Sequence, residues 1–87
     1  MAAAWTLYLL ECVDGSLYTG ITNDLERRYA KHAAGKGGRY TRSHPPLRIL
    51  ARKEFPDRSA ASIAEYQVKR LDVDGKRAFC RAHPYTA

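Results

Sequence analysis

The run Trp5 to Cys12 (WTLYLLEC) constrains this chain more than any other segment. It is apolar, aromatic and nearly continuous, which suits a buried strand. Asp14-Gly15 follows at once as a hairpin turn signal, and Leu17 to Ile21 (LYTGI) reads as the returning strand. Gly20 within it marks a place where close backbone approach is needed.

The hairpin leads into helical patterning. Asn23 reads as an N-cap, with Glu26 three residues on to complete a capping box. The helix is expected to run to about Ala34, with Gly35 as its C′ stop and Leu25, Tyr29 and Ala33 as its apolar stripe. Lys36 to Pro46 (KGGRYTRSHPP) reads as a loop punctuated by Gly-Gly and Pro-Pro. Leu47 to Phe55 is the third strand, with partial period-two alternation. Asp57 or Ser59 opens a second helix to about Leu71, and Asp74 caps a third over 75–82 before Pro84. The expected architecture is α+β: one domain over 1–87, a small three-stranded antiparallel sheet flanked by helices, order ββαβαα.

Eighty-seven residues suffice for one thin core. Cys12 and Cys80 form no metal-type pair or disulfide framework and read as small core residues. The first residues lack the basic start and apolar stretch of a signal peptide, and no apolar run reaches membrane-spanning length. The expectation is a soluble, cytoplasmic protein. Fifteen Lys+Arg against nine Asp+Glu give a net charge of +6, which favours polyanion partners. Ten of those fifteen lie between Arg27 and Arg58. Within that stretch Arg27, Lys31, Lys36, Arg39, Tyr40 and Arg42 combine charge with an aromatic able to stack a base, and are the expected nucleic-acid contacts.

Three groups of residues carry candidate chemistry. Arg28 and His32 are four apart and so are neighbours on one helix face, placed to bind a phosphate and assist proton transfer. Alone, they read better as a solvated pair. Tyr8 and Tyr18 read singly as core tyrosines. A joint role depends on register. A two-residue Asp14-Gly15 turn puts them on opposite faces; a three-residue connection, Asp14 to Ser16, or a bulge puts them on one. The latter is expected. Glu65, among small and apolar residues, is either the partner of Lys69 at i+4 or a ligand for a hard divalent cation such as Mg²⁺.

Taken in order, these positions resemble the GIY-YIG nucleases, in particular the small stand-alone bacterial proteins. They are similar also to the catalytic domains of the excision-repair nuclease and of phage homing endonucleases. Thr6-Leu7-Tyr8 stands for the first motif and Tyr18-Thr19-Gly20 for the second, with tyrosines ten residues apart. Arg28 follows Tyr18 by ten and His32 follows Arg28 by four. Glu65 falls where the family places its metal-binding glutamate. The chain departs from the pattern at Thr6-Leu7 in place of Gly-Ile and at Thr19 in place of Ile. Ile21 replaces the Lys of the excision-repair nuclease, and the late Asn of some larger relatives has no match.

The resemblance implies one-metal phosphodiester hydrolysis of DNA, with RNA also open, by a catalytic set of Tyr8, Tyr18, Arg28 and His32. Glu65 would hold Mg²⁺ or Mn²⁺. Arg28 would face the phosphate, Tyr18 (or Tyr8) would accept the proton of the attacking water, and His32 would relay it. Larger relatives append a DNA-binding domain for which this chain has no room. Weak sequence specificity and single-stranded or branched substrates are therefore expected, in repair, recombination or control of incoming DNA. The alternatives are a non-catalytic nucleic-acid-binding module on the same fold and an interaction domain for an acidic protein.

Overall fold

The computed structural model describes residues 4–85. Its elements are β1 (Trp5–Cys12), β2 (Leu17–Thr22), α1 (Leu25–Ala33), α2 (Arg39–Ser43), β3 (Pro46–Phe55), α3 (Arg58–Lys69) and α4 (Val73–Ala82). The fold is α+β with an antiparallel sheet in the order β2-β1-β3. The element order is ββααβαα, one helix more than expected. Arg39–Ser43, expected as part of a loop, forms a short helix behind Gly38.

β1 is central, and both of its faces are covered. Leu7 and Leu9 pack with Ala51, Val68 of α3 and Cys80 of α4. Tyr8 and Leu10 pack on the opposite face with Leu25 of α1, Tyr18 and Ile49. A strand covered on both faces needs an apolar residue at nearly every position, which explains the unbroken run. Both cysteines are free and buried, and burial raises both thiol pKa values, as expected of core residues.

The hairpin connection has three residues, one place earlier than expected: Val13, Asp14 and Gly15. The Cys12 amide donates to the Ser16 carbonyl and the Gly15 amide to the Cys12 carbonyl, each at 2.9 Å. Gly15 has φ 85°, the left-handed residue that closes this three-residue loop. Asp14 accepts from the Ser16 amide and hydroxyl at 3.1 and 2.6 Å, which holds its carboxyl below the usual range. The strands then pair Tyr8 with Gly20 and Leu10 with Tyr18, so the two tyrosines share a face.

Several local expectations shift by a residue or two. Asp24, not Asn23, caps α1: its carboxylate accepts from the Arg27 amide at 3.2 Å. The Asp24 amide donates to the Thr22 hydroxyl at 3.1 Å, so Glu26 has no capping-box role. Asp57 caps α3 through the Ala60 amide, and Asp72, not Asp74, caps α4 through the Gly75 amide, both at 2.8 Å. Gly35 does stop α1. With φ 77° it donates to the His32 carbonyl, and Lys36 donates to the Lys31 carbonyl, a Schellman ending.

The apolar stripe of α1 is also corrected. Leu25 and His32 are buried while Ala33 is exposed, so the inward face carries polar groups that an apolar count passes over. In β3, Leu9 pairs with Ala51 but Leu10 with Ile49. Leu50 is the extra residue of a bulge, which breaks the alternation there. Pro84 lies beside Ala51, with the Tyr85 amide bonded to the Leu50 carbonyl and the Arg52 amide to the His83 carbonyl. The chain after α4 thus covers part of the sheet edge. No helix among the described residues is long and apolar enough to cross a membrane.

Candidate active site

The face shared by Tyr8 and Tyr18 is where the candidate residues meet. The two rings lie 6.2 Å apart. Opposite Tyr8 the sheet has Gly20, and a Cβ there would sit 2.6 Å from the Tyr8 hydroxyl. Tyr8 can lie flat across β2 only because that position has no side chain.

α1 lies over this face. His32 is 1% exposed, like Tyr8. Its Nε2 is 2.8 Å from the Tyr8 hydroxyl and its Nδ1 is 2.7 Å from the Thr41 hydroxyl. One buried imidazole therefore joins the sheet to α2. Burial, and then the charge of Arg28, lowers the His32 pKa to about 4, so the ring is neutral at neutral pH and uses one nitrogen as donor and the other as acceptor. Burial pushes the Tyr8 pKa up to about 12, with Arg28 pulling the other way and Glu65 adding a small rise. Tyr8 is a poor proton acceptor in this setting.

Tyr18 differs. It is half-buried, with its ring edge-on to His32 at 5.1 Å. It keeps the solvent access that Tyr8 has lost. The His32 hydrogen bonds run to Tyr8 and Thr41, so the expected relay to Tyr18 has no direct link.

Arg28 is half-buried one turn before His32. One guanidinium nitrogen donates to the Gly37 carbonyl at 2.7 Å. Although burial works against its charge, the phenols of Tyr8 and Tyr18 beside it leave its pKa raised. The guanidinium is a fork of five N–H donors, shared here between the Gly37 carbonyl and the two phenols. Arg28 also lines an open groove of roughly 500 Å³ with Thr22, Asn23, Asp24, Arg27 and Lys31. Arg27 and Lys31, two expected nucleic-acid contacts, thus adjoin Arg28.

The other expected contacts lie in and around α2, which adjoins α1 through the His32–Thr41 hydrogen bond. Lys36, Arg39 and Arg42 are exposed. Tyr40 is exposed and stacked with Tyr18 at 5.7 Å and with His44 at 4.2 Å. Two residues absent from the expectations matter here. Thr41 anchors His32, and Gly37 lies against the imidazole so closely that a Cβ would collide with Nδ1. The Gly-Gly pair was the one local signal for Gly37; nothing near Thr41 in the sequence signals its partner.

Glu65 has the partner expected from spacing, Lys69 Nζ at 3.4 Å. Its side chain is 23% exposed, open to an ion, and its charge is felt at Tyr8. No group of three His, Cys, Asp or Glu able to hold a metal occurs among the described residues. A single carboxylate fits the mode in which Mg²⁺ keeps most of its waters and shares a substrate phosphate. It does not fit a closed protein cage.

Comparison with known proteins identifies the family. Residues 4–77 match the family described as the GIY-YIG catalytic domain. A UPF0213 protein of Cupriavidus necator is 52% identical over 84 residues, 97% of this chain and 91% of that protein. One from Xanthomonas axonopodis is 54% identical over 82 residues, 94% and 80% of the two chains. The solution structure of a UPF0213 protein from Bacillus halodurans superposes with a TM-score of 0.59 at 44% identity, covering 91% of this chain and 84% of that one. A solution structure of a protein from E. faecalis gives 0.65 at 31% identity, covering 99% and 96%. The chain belongs to the GIY-YIG family, among its small bacterial UPF0213 proteins.

Proposed function

We propose that this protein is a divalent-metal-dependent endonuclease that hydrolyses phosphodiester bonds in DNA with little sequence specificity. GIY-YIG membership supports a nuclease, a nucleic-acid substrate and a divalent metal in general terms. The observation that carries the specific reading is that Arg28, whose charge the phenols of Tyr8 and Tyr18 support, lines a groove together with the cations Arg27 and Lys31. Single-stranded or branched DNA is the substrate, and the setting is cytoplasmic repair, recombination or control of incoming DNA.

Tyr18 accepts the proton of the attacking water, because it alone of the two phenols keeps access to solvent. Arg28, anchored at the Gly37 carbonyl, turns its remaining N–H groups to the phosphate as charge builds there. Tyr8, His32 and Thr41 form the hydrogen-bonded support that holds α1 and α2 against the sheet. Glu65 would hold Mg²⁺ or Mn²⁺, which when bound supplies Lewis-acid polarisation of the phosphate. Arg27 and Lys31 hold the flanking backbone through charge.

The test is cleavage of labelled single-stranded, duplex and branched DNA in Mn²⁺ or Mg²⁺. Tyr18→Phe should lower the rate by roughly 10²–10⁴ and Tyr8→Phe by much less. Glu65→Ala should abolish cleavage. Equal rates for wild type and Glu65→Ala would remove the metal-ligand role. The ion pair with Lys69, which already satisfies Glu65, favours a second reading: a binding module that cleaves nothing. A wild type that binds these DNAs and cuts none of them would establish that instead.

A further inference from the structure

Outside the site, α3 carries a feature that the nuclease reading does not use. Tyr66 is 63% exposed and Ile63, one turn earlier, is 59% exposed. Arg70 lies over the Tyr66 ring at 5.6 Å, with one of its nitrogens 3.5 Å from the hydroxyl. Neither large side chain serves the core, where α3 contributes Ala61, Ala64 and Val68.

The flanking charge identifies the occupant. From Arg58 to Arg70 the chain has Arg58, Lys69 and Arg70 against one acid, Glu65, and Glu65 is paired with Lys69. An apolar, aromatic surface bordered by cations fits a strand that presents bases and phosphates together. It fits an acidic protein less well, because Tyr66 offers a flat ring, and stacking on an aromatic is how unpaired bases are held. Tyr40, an exposed tyrosine nearer the chain's basic stretch, already stacks with Tyr18 and His44. Tyr66 has no aromatic partner among the described residues, and its one cation, Arg70, covers one side.

Helix geometry links this surface to the site. Successive residues turn by about 100° at 3.6 per turn. Lys69 therefore falls between Glu65 and Tyr66 around the helix axis. A strand whose phosphate shared a divalent ion with Glu65 would pass Lys69 and bring a neighbouring base to Tyr66.

We propose that Tyr66, backed by Arg70, is a base-stacking platform for unpaired nucleotides flanking the scissile phosphate, with Lys69 contacting the intervening backbone. This rests on the nuclease reading and deepens it. It makes unpaired DNA beside the cut a requirement for tight binding rather than a tolerated form.

The experiment measures binding without divalent metal, by fluorescence anisotropy of labelled single-stranded dT oligonucleotides and of a blunt duplex, alongside the cleavage assay. Tyr66→Ala should weaken single-strand binding roughly tenfold and leave duplex binding and the melting temperature unchanged. Tyr66→Trp should restore single-strand binding, and Arg70→Ala should weaken it and flatten its salt dependence. If Tyr66→Ala binds single strands like wild type while Glu65→Ala still abolishes cleavage, the platform is overturned and the nuclease reading stands. A wild type that neither binds nor cleaves DNA overturns both. Concentration-dependent self-association abolished by Tyr66→Ala would show that a second copy covers this surface, and would also overturn the platform.

Discussion

The Tyr8 hydroxyl meets His32 Nε2 at 2.8 Å, with both side chains only 1% exposed. A neutral imidazole thereby satisfies a buried phenol from the sheet and, through its other nitrogen, a buried threonine from α2. Buried polar groups cost stability unless paired, and here each pairs the next.

The first prediction concerns pH. His32 has a folded pKa of about 4 against its ordinary 6.5. Between those values the unfolded chain binds a proton that the folded chain refuses, so stability rises with pH across this window. The contribution is complete above pH 6.5 and is lost as pH falls towards 4, by about 3 kcal/mol in all. Melting temperatures at pH 7 and 4.5 check this. The drop should be clearly smaller in His32→Asn than in wild type, and equal drops would contradict a neutral buried imidazole.

Thr19 offers a gain. Its hydroxyl is buried in β2 with no hydrogen-bond partner among the described residues. Thr19→Val keeps the shape and removes the unsatisfied group, so it should stabilise the fold by about 1 kcal/mol. In a domain of this size that raises the melting temperature by roughly 4–8 °C. Calorimetry that finds Thr19→Val less stable than wild type would mean that the hydroxyl has a partner after all.

Gly20 is constrained from across the hairpin. A Cβ there would stand 2.6 Å from the Tyr8 hydroxyl, 2.7 Å from its Cζ and 3.1 Å from Tyr18 Cε2. Tyr8 is held by His32 and cannot swing aside freely. Gly20→Ala should cost about 1–3 kcal/mol, read as a lower urea midpoint with unchanged slope. It should also lower cleavage, since both tyrosines must shift.

Lys69 competes for the carboxylate proposed to hold the metal. Lys69 Nζ stands 3.4 Å from Glu65 with its side chain 55% exposed, so the ion pair adds less than about 1 kcal/mol to the fold. Lys69→Ala should leave the melting temperature nearly unchanged. It should lower the Mg²⁺ concentration for half-maximal cleavage severalfold, because the ion no longer displaces an ammonium. A higher requirement for Mg²⁺ would place the metal elsewhere. The titration is read on cleavage rate at saturating DNA, which separates it from any loss of strand binding.

Much of this architecture is written in short stretches of chain. The apolar run Trp5–Cys12, the Asp-Gly turn, Gly35 behind α1 and the four-residue spacing of Arg28 and His32 all act through neighbours in sequence, where hydrogen-bonding and helical geometry operate without the rest of the fold. The same locality leaves near-equivalent choices open. Asn23 and Asp24 are both good caps, and the Thr22 hydroxyl, placed by the end of β2, goes with Asp24. A connection one residue shorter or longer would have parted Tyr8 from Tyr18, and the three-residue turn closed by the left-handed Gly15 keeps them on one face. Tertiary structure alone decided that His32 is buried, that Thr41 is its partner, that Tyr40 stacks with Tyr18 and His44 while Tyr66 has no aromatic neighbour among the described residues, and that Leu50 bulges. Those outcomes depend on residues far apart in the chain, such as Tyr8 and His32 at a separation of 24. No spacing within a single element encodes which distant group will fill the space beside it.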